Sequence, residues 1–196
     1  MKFLVFTDLH EDKEALNSLI NRAAKEDIKF VVCCGDFSNF GSGVYKVLSA
    51  FNKLNKKFYF IPGNHEEGLN LDLRKYPNCI SFHKSDFIEG DYHFLGYGGG
   101  GFAQEDPEFR KISRTWYGKF KEEKIVLVTH MPPFATKLDH LEMGHVGNKD
   151  YSKFIRRIKP KIAISGHLHE TVGIIDTKEE TKLINPGWDG MVVELN

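Results

Sequence analysis

Short runs of apolar residues alternate along this chain with stretches in which apolar residues recur every three or four positions. The runs have the length and the aromatic and β-branched content of buried strands, and the spaced stretches have the period of amphipathic helices. The predicted strands cover residues 2–7, 28–34, 57–61, 124–129 and 161–165. Strands that alternate with helices indicate crossover connections and therefore an α/β fold.

The spaced stretches predict four helices, and the rest of the chain predicts shorter strands. The buried faces of the helices lie within residues 15–24, 44–51, 109–120 and 151–158. Asp106 suits the N-cap of the third helix, and Pro107 suits its first position. Further β-like runs lie within residues 80–97, 172–176, 181–185 and 191–195. No repeat or linker interrupts the pattern, so we predict a single domain over residues 1–196.

The net charge of the chain is zero, because 27 Lys and Arg residues balance 27 Asp and Glu residues. This balance argues against a broad basic surface for nucleic acid or for an anionic membrane. No apolar run is long enough to cross a bilayer, and no signal peptide is evident. The three cysteines fit neither a disulfide framework nor a zinc motif, since Cys33 and Cys34 would point to opposite faces of one strand. We therefore expect a cytoplasmic protein.

Side chains that can bind a metal follow five of the predicted strands at their C-terminal ends, the edge at which open α/β sheets bind ligands. These candidates are Asp8, His10, Asp36, Asn64, His130, His167 and His169. One leucine separates Asp8 from His10, and one leucine separates His167 from His169. In an extended chain, both members of a pair would face the same volume while Leu9 and Leu168 point into the packing.

The chemistry of these side chains indicates a metal site without sulfur. Carboxylate, imidazole and one amide oxygen form a mixed set that suits Mn, Fe, Zn, Co or Ni. Seven candidate ligands exceed what one tetrahedral ion needs, so we predict two divalent ions, with manganese first among them. Asp36 is the natural bridge, because a carboxylate has two oxygens and can serve both ions.

The order DxH, GD, GNHE, H and GHxH, from Asp8 to His169, resembles the calcineurin-like metallophosphoesterase superfamily. The resemblance implies a four-layer α/β/β/α sandwich of two mixed sheets. It implies that one ion is held by Asp8, His10, Asp36 and His169, and the other by Asp36, Asn64, His130 and His167. It also implies attack on phosphorus by a metal-bridging hydroxide with His65 as general acid. Glu66 would orient His65 or a ligand histidine.

The sequence around these motifs resembles phosphodiesterases more than phosphoprotein phosphatases. The two phosphate-gripping arginines of the phosphatases are absent after Asp36 and before Gly63. The pattern PGNH and the late Asn185-Pro186-Gly187 instead resemble small bacterial and archaeal phosphodiesterases, although Trp188 stands where a small polar residue is usual. We therefore predict a small phosphodiester, which carries less charge than a monoester, as the substrate.

Two other functions stay open. A repair-type nuclease of the same superfamily would carry a DNA-binding region, which the neutral charge does not favour. A protein-binding scaffold on this fold would show eroded ligands, whereas all seven are present. Three features also have two interpretations each. His140 and His145 either line the substrate cleft or belong to a surface loop, residues 98–101 form either a phosphate nest or a turn, and Trp188 either stacks on substrate or packs in the core.

Overall fold

The computed structural model describes residues 1–196. Its elements, in chain order, are β1 (Lys2–Phe6), α1 (Lys13–Ala23), β2 (Ile28–Cys33), α2 (Val44–Asn52), β3 (Phe58–Phe60), β4 (Cys79–Ser81), β5 (Ser85–Glu89), β6 (Tyr92–Tyr97), α3 (Pro107–Phe120), β7 (Lys124–Thr129), β8 (His140–Leu141), β9 (Gly144–His145), α4 (Lys149–Ile158), β10 (Ile162–Ile164), β11 (Ile175–Lys178), β12 (Thr181–Ile184) and β13 (Met191–Glu194). The longest helix, α3, has 14 residues. None of the helices combines the length and the apolar character that a membrane span requires.

The strands form two mixed sheets and one small hairpin. The first sheet has the order β13-β1-β2-β3-β4, in which β13 is antiparallel to β1 and the other pairs are parallel. The second sheet has the order β11-β12-β10-β7-β6-β5, with antiparallel strands only at its two edges. The short strands β8 and β9 pair with each other. The α/β prediction is therefore confirmed.

Three apolar clusters separate four layers. One cluster joins α1 and α2 to the outer face of the first sheet, a second lies between the sheets, and a third joins α3 and α4 to the second sheet. Side chains alternate along the strands, so Cys33 belongs to the first cluster and Cys34 to the second. This alternation confirms the opposite orientation predicted for the two thiols, and the layers confirm the α/β/β/α sandwich.

Polar caps fix where three of the helices begin. The Asp106 carboxylate accepts a hydrogen bond from Phe109 N–H at 2.8 Å, and Pro107 occupies the first turn of α3 as predicted. Asp12 caps α1 and Asn148 caps α4 in the same manner. Such a cap contributes about 1 kcal/mol. Each cap starts a helix at the sheet edge where the candidate ligands lie.

The secondary structure differs from the sequence-based prediction at two places. The strand expected at residues 172–176 begins only at Ile175, because a 3₁₀ turn over His169–Thr171 leads directly into a further turn at residues 172–173. The hairpin of β8 and β9 was not predicted, since two residues per strand are too few to show a period. Both differences lie in the loops that surround the candidate site.

Candidate metal centre

The loops after β1, β2, β3, β7 and β10 bring all seven predicted ligands to one edge of the sandwich. The first three strands belong to one sheet and the last two to the other, so the site lies where the two sheets meet. Three groups have nitrogen and oxygen atoms within 4.8 Å of one another: Asp8, His10 and His169; His10, Asp36 and His65; and Asp36, His130 and His167. The groups share members and therefore form one continuous cluster.

In the first group, Asp8 presents one free oxygen. Its Oδ2 accepts hydrogen bonds from Thr7 Oγ1 and from the backbone N–H of His167, both at 2.8 Å. Its Oδ1 is buried without a hydrogen-bond partner and lies 3.8 Å from His169 Nε2. The Nε2 atoms of His10 and His169 are 3.3 Å apart. A cation between these three atoms would satisfy all of them.

In the third group, His130 is held with one ring nitrogen toward the site. Its Nδ1 lies 2.9 Å from the carbonyl oxygen of Cys34, to which an Nδ1–H donates. Its Nε2 then lies 3.0 Å from Asn64 Oδ1 and 3.4 Å from Asp36 Oδ2. A carbonyl that fixes the ring in this way is typical of a metal-binding histidine. His167 completes the group with a buried Nε2 that has no partner.

Asp36 belongs to two of the three groups and lies between them. Its Oδ1 accepts a hydrogen bond from the His65 backbone N–H at 2.9 Å. Its Oδ2 lies 3.9 Å from His10 Nε2 and 3.4 Å from His130 Nε2. This carboxylate therefore has the position that a bridging ligand requires.

Burial and charge shift the pKa values of these groups in a way that suits cation binding. Burial raises the pKa of Asp36, but the hydrogen bond and charge of His130 lower it more, so the carboxylate is ionised. Burial lowers the pKa of His10, and it lowers that of His167 to about 4. Burial also opposes charge on His130, but Asp36 and Asp8 outweigh it and raise its pKa to about 9. A cation would replace that proton.

The donor set fits a pair of divalent transition-metal ions. Six buried side-chain atoms of the chain have no hydrogen-bond partner, and two of them, Asp8 Oδ1 and His167 Nε2, belong to predicted ligands. An unsatisfied buried polar atom costs about 1–3 kcal/mol, so a fold keeps such a cluster for a ligand. Nitrogen and oxygen donors without a thiolate suit the Mn to Zn series.

The backbone at the ligands is not extended as we expected. Asp8, His10, Asp36 and His167 have φ angles of 52°, 43°, 51° and 69°. Each left-handed residue of this kind costs roughly 1–2 kcal/mol, and such strain clusters at functional sites. The sharp turns instead place Asp8 and His10 in one group, and His167 and His169 in two different groups. Leu9 and Leu168 are buried, so the prediction that they enter the packing is confirmed.

Two glycines permit the loops to approach this closely. A Cβ on Gly35, whose φ is +105°, would lie 2.5 Å from Gly63 N and 2.7 Å from His130 Nδ1. A Cβ on Gly63 would lie 2.0 Å from Asp36 Oδ1. Any side chain at either position would separate the ligand loops.

Glu66 makes no hydrogen bond or ion pair with a histidine, which differs from our expectation. Its buried carboxylate accepts hydrogen bonds from the backbone N–H groups of Asp36, Ser38 and Gly63 at 2.8–3.0 Å and from Ser38 Oγ at 2.5 Å. Burial raises its pKa, which these hydrogen bonds partly offset. Because its partners are backbone groups of these loops, Glu66 positions the loop that carries Asp36.

His65 lies beside Asp36 at the mouth of the site. Its Nε2 is 3.9 Å from Asp36 Oδ2, and its side chain is 16% exposed. Its ring stacks on that of Phe40, with centroids 3.8 Å apart and an angle of 20° between the planes. His65 is therefore partly open to solvent and lies against an exposed aromatic ring, whereas His10 and His169 are more exposed, at 25% and 51%.

Sequence reasoning missed three residues that build the site: Thr7, Ser38 and Phe40. Thr7 and Ser38 hold Asp8 and Glu66 through their hydroxyl groups. The role of Ser38 depends on a partner 28 residues away, which no local pattern reveals. For Phe40 the one available signal was an aromatic residue before a glycine in a polar turn.

The structure distinguishes the two interpretations that the sequence allowed for His140, His145 and Trp188. His140 and His145 line a cavity with Ala135 and Asp176 that contains none of the ligands, and His145 Nδ1 lies 2.8 Å from Asp139 Oδ1. These observations favour the surface-loop interpretation. Trp188 packs against the core of the first sheet, and its ring centroid is also 5.7 Å from that of His169.

The glycine run at 98–101 is a packed turn at its start. Gly98 N–H donates to His83 Nδ1 and Gly99 N–H to the carbonyl of Pro62, both at 2.9 Å. A Cβ on Gly98 would lie 2.0 Å from that carbonyl oxygen. Two of the N–H groups that a phosphate nest would use are thus already engaged.

Comparison with known proteins supports the motif-based resemblance. A family model described as calcineurin-like phosphoesterase matches residues 1–171. An uncharacterised protein of Methanocaldococcus jannaschii is 29% identical over 199 residues, which cover 95% of this chain and 88% of the relative. A protein of Arcobacter nitrofigilis named probable glycerophosphodiester phosphodiesterase GpdQ is 27% identical over 76% of this chain and 59% of its own length.

Solved structures share the fold. The protein TT1561 of Thermus thermophilus superposes with a TM-score of 0.77 at 15% identity, covering 96% of this chain and 90% of that one. A dimetal phosphatase from Danio rerio has a TM-score of 0.57 at 11% identity, with 94% and 86% covered. At these identities the likeness concerns the fold alone.

Proposed function

Because the chain belongs to the calcineurin-like phosphoesterase family, we propose that it is a metal-dependent phosphodiesterase acting on a small substrate. The observation that carries the proposal is the continuous cluster of three Asp and His groups that meet through Asp36 and His10. Two donor atoms of its predicted ligands, Asp8 Oδ1 and His167 Nε2, are buried without a partner. The relative named as a probable glycerophosphodiester phosphodiesterase supports a diester, rather than a monoester, as the substrate.

The chain's own residues would hold two ions in the arrangement that the motifs imply. Asp8, His10, Asp36 and His169 would bind one, and Asp36, Asn64, His130 and His167 the other. Manganese is our first choice, and Fe, Zn, Co and Ni suit the same donors. Such a pair supplies an activated water and the positive charge that neutralises a phosphoryl group.

In this proposal His65 is the general acid. Hydrolysis adds the oxygen of water to phosphorus and breaks the bond from phosphorus to the ester oxygen, which must take up a proton. His65 lies at the mouth and is oriented by its neighbours Phe40 and His10, whose rings are 3.8 and 4.5 Å from its own. A general acid contributes about 10²–10⁴-fold to the rate.

The charge of the rim supports a diester rather than a monoester. The loops at the metal edge are 8–12, 35–43, 61–78, 98–106, 130–148, 166–174 and 185–190, and their only Lys and Arg residues are Arg74, Lys75 and Lys137. Arg74 is already paired with Asp72 at 2.7 Å, so a monoester dianion would find no free guanidinium group there to compensate its second charge. A diester carries one charge, which the ions alone can balance.

The three thiols and the apolar clusters support two further parts of the proposal. Cys33, Cys34 and Cys79 are buried and unpaired, as expected for a reducing compartment such as the cytoplasm. Residues from both termini, Phe3 and Leu195, share the cluster between the sheets. We therefore propose that residues 1–196 act as one domain.

A substrate comparison tests the proposed activity. Metal-free protein is loaded with Mn, Fe, Zn, Ni, Co or Mg singly, and hydrolysis of bis-p-nitrophenyl phosphate is compared with that of p-nitrophenyl phosphate. We expect a higher kcat/KM for the diester with at least one transition metal. A strong preference for the monoester would contradict the diesterase assignment, and inactivity with every metal would contradict the enzyme assignment.

A further inference from the structure

The turn between β2 and α2 contains Phe40 at a position where this type of turn disfavours a bulky residue. Asn39 and Ser42 exchange two backbone hydrogen bonds, of 3.3 and 3.0 Å, and the central residues Phe40 and Gly41 have φ angles of 50° and 84°. Two central residues with positive φ are typical of a type I′ turn, which prefers Asn, Asp or Gly. A bulky aromatic residue in this conformation is strained, and such outliers point to function.

Phe40 also contributes nothing to the cores. Its side chain is 74% exposed, and it belongs to none of the three apolar clusters. Its ring lies almost parallel to the imidazole of His65 at 3.8 Å. The chain therefore places an exposed aromatic face, at a cost in backbone strain, directly beside the proposed general acid.

The position of His65 determines what would meet this face. A general acid must come within about 2.6–3.2 Å of the leaving oxygen. The group attached to that oxygen then lies next to His65, where the exposed face of Phe40 is available for stacking. Phe40 is thus placed to contact the leaving group rather than the phosphoryl oxygens.

The surroundings favour an uncharged ring as that group. A second exposed aromatic residue, Phe102, lies against His167 with centroids 4.6 Å apart and is 67% exposed. Glu11 reaches the same turn, since its Oε1 lies 3.4 Å from Ser42 Oγ. An apolar and acidic mouth would repel a second phosphate or a carboxylate.

We propose that Phe40 is a specificity-determining residue that stacks on a planar, uncharged ring in the leaving alcohol of the substrate, such as an aryl group or a nucleobase. The proposal rests on the proposed phosphodiesterase function and names its substrate class. Because Phe40 is not a ligand, its replacement changes recognition of the ring and leaves metal binding intact.

Binding of two non-hydrolysable monoanions to the manganese-loaded protein tests this role. The probes are benzyl(ethyl)phosphinate and diethylphosphinate, in which methylene groups replace both ester oxygens, and calorimetry gives their Kd values. We expect the benzyl compound to bind about tenfold more tightly, a stacking contribution typical of aromatic side chains. Phe40→Ala should abolish this advantage and change the Kd of the diethyl compound less than about twofold.

Three variants separate recognition from folding. Phe40→Tyr keeps the ring and should keep the benzyl advantage. Phe40→Asn suits the turn, so it should lose the advantage while its Tm equals or exceeds that of the wild type. Ile88→Ala removes a comparably exposed apolar side chain, 58% exposed on β5, and should change neither Kd.

The outcomes distinguish the two proposals. An equal benzyl advantage in Phe40→Ala and the wild type, or none in a wild type that hydrolyses the diester, overturns the role of Phe40 alone. Failure of the wild type to bind either phosphinate, together with inactivity on every ester, overturns the phosphodiesterase and the subsite with it. A parallel leaving-group series supports the subsite if phenyl methyl phosphate, the ester that the benzyl probe mimics, loses more kcat/KM than dimethyl phosphate in Phe40→Ala.

Discussion

Asp36 and His65 are neighbours with different expected tasks. Asp36 is shared by two ligand groups, whereas the Nδ1 of His65 is buried without a partner and its side chain is partly open to solvent. If Asp36 bridges the ions and His65 only transfers a proton, removal of each should affect metal content differently.

We predict that Asp36→Asn and His65→Asn each abolish most turnover and that only Asp36→Asn lowers the metal content. The reason is that the amide of Asn carries one neutral oxygen and cannot bridge two cations as a carboxylate does. Elemental analysis after gel filtration, beside kcat, makes the comparison. Equal metal loss in both variants would reassign His65 as a ligand.

His83 is not a predicted metal ligand, and its protonation makes the free energy of unfolding depend on pH. It accepts the Gly98 N–H through Nδ1, and burial lowers its pKa from 6.5 to about 4. The folded state therefore favours the neutral ring. The stability that this contributes is fully present above pH 6.5 and is lost as the pH falls toward 4, because the unfolded chain binds the proton first.

We predict that His83→Asn, which retains an acceptor at the Nδ1 position, has a weaker decline of unfolding free energy over this range than the wild type. Urea unfolding of the metal-free protein at several pH values measures the slope. His140→Asn, at an exposed histidine on β8, serves as the control and should keep the wild-type slope. Parallel slopes in all three proteins would contradict the assignment to His83.

At the scale of elements, the close approach of two loops determines whether the site can form. The loop after β2 passes the loop after β3 so closely that a Cβ on Gly35 would lie 2.5 Å from Gly63 N. The two loops carry Asp36 and Asn64. Packing at this crossing therefore connects the stability of the first sheet to the geometry of the ligands.

We predict that Gly35→Ala destabilises the protein by more than about 1 kcal/mol, because both the backbone clash and the positive φ oppose a side chain. Gly118→Ala is the matched control. Gly118 lies within α3, and a Cβ there would meet nothing within 4 Å. It should stabilise the protein by about 0.5–1 kcal/mol. Urea unfolding of both variants tests this contrast, which equal destabilisation would contradict.

The sequence predicted correctly those elements whose pattern depends only on residues that are neighbours along the chain. The buried runs of β1, β2 and β7 and the cap of α3 depend on neighbouring residues, and their bounds agree with the structure within a residue or two. The pairing of β13 with β1 joins Lys2 to Glu194, and no periodicity contains that information. The start of β11 depended on the 3₁₀ turn at His169–Thr171 and on the turn that follows it, which the apolar pattern of residues 172–176 does not show.

The candidate site was accessible to sequence reasoning for a similar reason. Each ligand follows a strand, so parallel strand ends alone predict that the seven side chains converge. Their left-handed backbone was not predictable, since an i and i+2 pair is compatible with several conformations. The hydrogen bonds of Glu66 and the stacking of Phe40 depend on partners about 25–30 residues away, and only the folded chain shows them.

At the scale of the whole molecule, the metal centre lies at the ends of the strands whose apolar side chains fill the three clusters. The clusters supply the main driving force for folding, and metal binding adds about 2.7 kcal/mol when the free ion is at 100 times its Kd.

We predict that chelation lowers the Tm of the manganese-loaded protein without unfolding it at room temperature. The fold persists because burial of the three clusters does not require the ions. Thermal melts followed by circular dichroism, with and without EDTA, measure both effects. Loss of the far-ultraviolet spectrum on chelation alone would show that the ions hold the sandwich together.

The central claim is that remote loops form one dinuclear centre, and anomalous diffraction from a crystal grown with manganese tests it most directly. The account predicts two manganese peaks about 3.5–4 Å apart. Asp36 should contact both, with Asp8, His10 and His169 around one and Asn64, His130 and His167 around the other. A single peak, or peaks that lie away from Asp36, would contradict the account.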